Sequence, residues 1–115
     1  MLAQSEYSVV QIPHQVYVLP NQVLLPTEDD RYSSPINIGF DFKYFGNTYN
    51  QMLISTNGYI DFRTNLAGNP SPYGLSASFP NGSQLRNSIF ACYHDMYNNG
   101  IANTGAITYS IVGNA

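Results

Sequence analysis

Apolar and polar residues alternate along the middle of the chain, and helical spacing is hard to find. From Pro35 to Phe42 the sequence reads P-I-N-I-G-F-D-F. A period of two places Ile36, Ile38, Phe40 and Phe42 on one face and Asn37, Gly39 and Asp41 on the other, the pattern of a half-buried strand. Pro35 suits its first position, where no ladder donor is needed. Tyr44-Phe45-Gly46-Asn47 predicts a turn, with Gly46 and Asn47 able to take positive φ. Thr48 to Ser55 predicts the second strand. Asn57-Gly58 is a strong hairpin signal, and Tyr59 to Arg63 is the return strand. A two-residue loop would pair Thr56 with Tyr59 and Leu53 with Phe62, placing Leu53, Ile60 and Phe62 on one core face. Residues 35–63 therefore read as a three-stranded antiparallel meander.

Outside this block the elements are shorter. Tyr7 to Ile12 and Val16 to Leu19 are apolar runs broken by Pro13 and Pro20, and Val23-Leu24-Leu25 is a third. Thr27 to Arg31 holds most of the local charge and reads as an exposed turn. Thr64 to Arg86 is loop-like, rich in Gly, Pro and Asn, and a stretch of that length is often functional. Strand character returns at Ser88 to His94 and at Ala106 to Val112, where Ile107, Tyr109 and Ile111 face one way. The spacing of strands and turns predicts an all-β fold, an antiparallel β-sandwich of about seven to eight short strands. Gly113-Asn114 reads as a turn with no return strand, so the sequence reads as a fragment lacking its final strand or strands. Met1-Leu2-Ala3-Gln4-Ser5 is too short for a signal peptide, although Leu-Ala-Gln has the small-residue character of a cleavage site. Residues 1–6 thus read as a mature N-terminus or signal-cleavage scar, and residues 7–115 as one domain.

Composition narrows the function classes. In 115 residues there are 13 Asn, 11 Ser, 6 Thr and 6 Gln, while charged residues make up only 10 %. Such a surface is wet without being charged, which nearly excludes long Glu/Lys-rich surface helices. The net charge is −3, with Arg31, Lys43, Arg63 and Arg86 the four basic side chains. Nucleic acid needs a basic footprint, and so does a polybasic membrane-surface module; both are argued against. Ten Tyr and six Phe favour strands. Cys92 is the single cysteine, which rules out an intrachain disulfide and cysteine-rich zinc spacing.

Three sets of residues offer chemistry. Cys92 and His94 would share a face of one strand, with Asp95 beside them, but such neighbours lack the third group that orients a nucleophile–base pair. No motif of a serine hydrolase, zinc protease or phosphate-binding loop is present. No catalytic residue is assigned. Asp95 with Asn98 or Asn99 and loop carbonyls offers an oxygen-rich site for calcium, with an Asx-turn cap as the structural alternative. Glu28-Asp29-Asp30 is a second carboxylate group and reads as a solvated turn. Tyr32, Tyr73, Tyr97 and the loop 64–86 offer a glycan- or protein-binding face, since Tyr, Asn and Ser make adaptable recognition surfaces. Tyr73, Tyr97, Asn98 and Asn99 are the ligand-binding candidates, Asp95 is the metal candidate, and Gly46, Asn47, Asn57 and Gly58 are turn residues.

The stretch Ile36 to Phe62, with Tyr44-Phe45-Gly46-Asn47-Thr48-Tyr49 and Thr56-Asn57-Gly58-Tyr59, resembles a domain of very large Bacteroidetes cell-surface proteins of the gliding-motility-associated type. The same block is similar to the opening of nidogen-like extracellular domains. Tyr7 to Pro13 resembles the domain's usual opening, Asn87 to Met96 its later strand ending in an aromatic-His-Asp element, and Gly105 to Tyr109 with Gly113 to Ala115 the next hairpin. The family often carries Cys and Trp in the loop before the later strand, whereas residues 64–86 here have neither. These are turn motifs, which specify fold better than activity.

The resemblance implies a secreted, non-enzymatic module at the bacterial cell surface, exported by the type IX secretion machinery. It implies a place in an adhesin or extracellular filament, joined to further domains of the same polypeptide. A carbohydrate- or calcium-dependent binding module of a secreted multidomain enzyme is the alternative. A surface glycan or protein is the expected ligand, and a strand-completing partner would fill the unfinished sheet.

Overall fold

Two hairpins with different turn chemistry organise the fold. The computed structural model describes residues 8–26, 28–74, 85–97 and 105–113. Among them are six strands: β1 (Val23–Leu24), β2 (Ile36–Tyr44), β3 (Asn47–Ser55), β4 (Tyr59–Asp61), β5 (Ser88–Phe90) and β6 (Thr108–Tyr109). A 3-10 turn covers Thr64–Leu66. The strands form two antiparallel sheets, one ordered β2-β3-β4-β5 and one pairing β1 with β6. The chain is thus all-β, with an architecture compatible with the expected β-sandwich.

The β2–β3 hairpin closes through Phe45 and Gly46, at φ 46° and 78°, with Tyr44 paired to Asn47. Two consecutive positive φ values match the twist of the flanking strands. Gly46 behaves as expected, but Phe45 takes the place expected for Asn47, which is already the first residue of β3. The Phe45 ring is held edge-on to Tyr44, with centroids 4.7 Å apart. The expected single face of Ile36, Ile38, Phe40 and Phe42 is not kept. The register shifts between Asn37 and Phe42, around Gly39 at φ 91°, so Ile36 pairs with Met52 while Phe42 pairs with Tyr49. A bulge of this kind re-aims the side chains on its two sides. It directs Phe42 and Tyr44 onto Phe62, which stacks on Tyr49 at 4.5 Å.

The β3–β4 register also differs from the expected one. The turn holds three residues, Thr56-Asn57-Gly58, so Ser55 pairs with Tyr59, Ile54 with Ile60 and Leu53 with Asp61. Gly58 alone takes positive φ in this turn, 79°, and its amide donates to Ser55 O at 3.2 Å. A three-residue loop with its left-handed residue last is the next-commonest hairpin after the two-residue form. One extra residue moves Ile60 away from Leu53 and brings Asp61 onto the core face.

Tyr32, Leu53 and Tyr59 form the centre of the core, with Leu66, Ala67, Leu85 and Tyr93 packed against it. Residues 31–33 run beside the end of β3: Ser33 N donates to Ile54 O and Thr56 N to Arg31 O. Tyr32, expected on a recognition face, is therefore only 3 % exposed. The Tyr59 hydroxyl donates to Tyr32 at 2.9 Å, and Tyr32 donates to Asp61 Oδ2 at 3.1 Å. Among the described residues no buried side-chain polar atom lacks a partner.

Burial pushes the phenols of Tyr32 and Tyr59 above their ordinary value of 10.0; their mutual hydrogen bond and nearby Asp61 push Tyr32 further up. These tyrosines keep their protons in the fold while unfolded ones lose them near pH 10. Their contribution to stability is therefore complete below about pH 10 and is lost as pH rises through the folded values, by up to ~1.4 kcal/mol per pH unit for each phenol. Thermal melts between neutral pH and about pH 11 are expected to show this alkaline fall, and Tyr32→Phe is expected to flatten it. An equally steep fall in Tyr32→Phe would contradict the assignment.

The apolar run Val16 to Leu19 and the described part of the run Tyr7 to Ile12 form no strand and lie exposed. Of the run 88–94, strand pairing covers only Ser88–Phe90, and of 106–112 only Thr108–Tyr109.

Candidate loop-end recognition face

The Asn57 side chain is the centre of the candidate site. It is fully buried. Its Nδ2 donates to Asp30 Oδ1 at 2.8 Å and to Pro72 O at 3.3 Å, and its Oδ1 accepts from Met96 N at 3.0 Å. Its backbone amide donates to Ser55 Oγ at 3.0 Å, and its carbonyl accepts from His94 N at 3.2 Å. One amide side chain thus joins three loops that lie far apart in sequence: 28–31, 71–74 and 91–97. The three-residue turn explains why: with Gly58 taking the left-handed position, Asn57 is free to point inward. Asn57 is expected from sequence as a turn residue; its role as a clamp is carried by no local pattern.

Each loop has further anchors. Ser71 N donates to Asp30 O at 2.7 Å, Ser55 Oγ to Ser71 Oγ at 2.8 Å, and Tyr93 Oη to Gly74 O at 2.9 Å. Tyr73 therefore sits on a pinned backbone, and Tyr97 follows a residue that Asn57 holds. Both rings face solvent, 53 % and 61 % exposed. Rigid backbone beneath exposed tyrosines lowers the ordering cost of binding.

The same clamp gathers acids. Carboxylate oxygens of Asp29, Asp30 and Asp95 lie within 4.8 Å of one another. Asp95 was expected beside Asn98 and Asn99, which lie outside the described residues, as does Asn114. Among the described residues it meets Asp29 and Asp30, from the turn that reads in sequence as solvated. Sixty-odd residues of sequence separate the two groups, so spacing carries no hint of the meeting. Asp30 itself sits at φ 48°, and Arg31 pairs with Glu28 at 2.8 Å rather than with this trio.

Cys92 and His94 are not on a strand. They lie in the loop after β5, both exposed, and their backbone amides donate to Gly58 O at 3.0 Å and Asn57 O at 3.2 Å. These contacts tie the loop to the turn and bring no orienting group to the thiol. His14 lies in the exposed N-terminal segment, well before β1.

A family model described as NIDO related (nidogen-related) matches residues 6–115. No curated protein and no solved structure matches the chain.

Proposed function

The chain belongs to the NIDO-related family, and on that premise we propose that it is a non-catalytic extracellular module displayed at a bacterial cell surface. In this reading it forms part of an adhesin or extracellular filament of the gliding-motility-associated type, exported by the type IX secretion machinery and joined to further domains of the same polypeptide. Its ligand is a surface glycan or protein. The observation that carries the reading is the loop end built on Asn57, where Tyr73 and Tyr97 stand exposed on anchored backbone. The low charge of the chain, 10 %, supports recognition by hydrogen bonding and stacking rather than by charge attraction. Labelling intact producing cells with an antibody to this domain tests the placement. Labelling that requires permeabilised cells would overturn it.

A second reading, a calcium-dependent module of a secreted multidomain enzyme, is favoured by one observation, the meeting of Asp29, Asp30 and Asp95. Calcium takes oxygen ligands at about 2.3–2.6 Å, so ligand oxygens about 5 Å apart or less fit around one ion. A cation would also offset the repulsion of the three carboxylates. Saturating calcium is then expected to stabilise the fold by about 2–3 kcal/mol, and Asp95→Asn to abolish that gain. A melting temperature indifferent to calcium and to chelator would eliminate this reading.

A further inference from the structure

The Asn57-Gly58 pair is reactive as well as turn-forming. Before a glycine, a backbone nitrogen readily attacks the asparagine side-chain amide, because no Cβ stands in the way. The Gly58 nitrogen would bond to Asn57 Cγ as the bond from Cγ to Nδ2 breaks, and Nδ2 would leave as ammonia with the Gly58 amide proton. One water then opens the five-membered ring to aspartate or isoaspartate.

The fold holds back each participant. The Gly58 amide donates to Ser55 O at 3.2 Å, so its proton is engaged. Asn57 Nδ2 donates to Asp30 Oδ1 at 2.8 Å and to Pro72 O at 3.3 Å, while Oδ1 accepts from Met96 N at 3.0 Å. Leaving group and carbonyl are thus both held by the loops. Asn57 is fully buried, which keeps out the water of the second step. The Cys92 carbonyl lies so close to Gly58 that the turn has no room to swing.

The fold also rejects the products. An aspartate at position 57 would put a carboxylate oxygen where Nδ2 stands, facing two acceptors, Asp30 Oδ1 and Pro72 O, with Asp29 and Asp95 close behind. A buried anion set against acceptors is costly. Isoaspartate would add one backbone atom to the turn that registers Ser55 against Tyr59.

We propose that Asn57-Gly58 is a deamidation site that the fold closes and unfolding opens, so that a chain left unfolded loses its way back. Chemical change of the unfolded chain makes unfolding irreversible, and here it strikes the residue that joins the three loops.

Peptide mass mapping tests this on the wild-type chain, aged at mildly alkaline pH either folded or in guanidinium chloride. The mass gain of deamidation at position 57 is expected to accumulate at least about tenfold faster in denaturant. Mapping separates it from gains at the other Asn-Gly pairs, 81–82 and 99–100. After removal of denaturant, the fraction that refolds is expected to carry intact Asn57, and the fraction that does not to carry the converted residue. Asn57→Asp is expected to melt well below the wild type. Equal rates in the two conditions, a converted residue equally frequent in both fractions, or an Asn57→Asp variant that melts like the wild type would each overturn the proposal.

Discussion

Gly58→Ala is expected to cost about 2–5 kcal/mol, enough to threaten folding of a chain this size. Two effects add. At φ 79° any L side chain is strained, and a Cβ at this position would lie 2.1 Å from the Cys92 carbonyl oxygen and 2.8 Å from its carbon. Those are backbone atoms, and they are held where they are by the Cys92 N to Gly58 O bond at 3.0 Å. The β5 end can retreat only by giving up that bond and loosening the loop that carries Asp95 and Tyr97. Gly46→Ala provides the control. Its φ of 78° is nearly the same, but no atom lies within 4 Å of its added Cβ. Only the backbone penalty of about 1–2 kcal/mol is expected there. Denaturant midpoints of the two variants measure the difference, and equal losses would contradict the close approach.

Asp61→Ala is the second large loss, about 3–5 kcal/mol. The carboxylate is fully buried. Its Oδ1 accepts from the Arg63 amide at 2.9 Å and from Arg63 Nε at 3.0 Å, while Oδ2 accepts from Arg63 Nη2 at 2.5 Å and from Tyr32. The Asp61 hydrogen bonds raise the Arg63 guanidinium above its ordinary value, against the opposing effect of partial burial. Removing the acid takes from a half-buried cation and a core hydroxyl the buried acceptor they share. The loss should come from the desolvation of those groups, no longer offset, more than from the attraction itself. Asp61→Leu combined with Arg63→Met is therefore expected to regain part of what Asp61→Ala loses. Chemical denaturation of the three variants decides it, and a double variant as unstable as Asp61→Ala would contradict the argument.

Local chemistry is what the sequence makes legible. Alternation through 35–63 announces strands, Gly46 and Asn57-Gly58 announce their turns, and the resemblance to nidogen-like domains agrees with the family model over residues 6–115. Register is less legible, because one extra residue in a turn or bulge reverses every side chain beyond it. Asn57-Gly58 is compatible with a two- or a three-residue loop, and only the packing of Asn57 beneath the loops selects the latter. Tyr32 shows the same limit: an aromatic beside a charged turn looks exposed until the bridge of residues 31–33 to β3 carries it inward. The candidate face was legible in part. Tyr73, Tyr97 and Asp95 could be named from residue type and loop position, but their common tether and the acids joining Asp95 depend on contacts between distant segments. A glycine needing close approach and an asparagine in a turn were the available signals, and neither says which loops will arrive.

Binding by the exposed tyrosines tests the central claim most directly. The immobilised domain is probed with a glycan array and with extracts of surface proteins, alongside a Tyr73→Ser/Tyr97→Ser variant. Both side chains are exposed, so the variant should melt like the wild type. The wild type is expected to retain a defined ligand and the variant to lose at least about tenfold in affinity, the scale of one aromatic anchor. A ligand held equally well by both, or no ligand for the folded wild type, would contradict the assignment of this loop end as the recognition face.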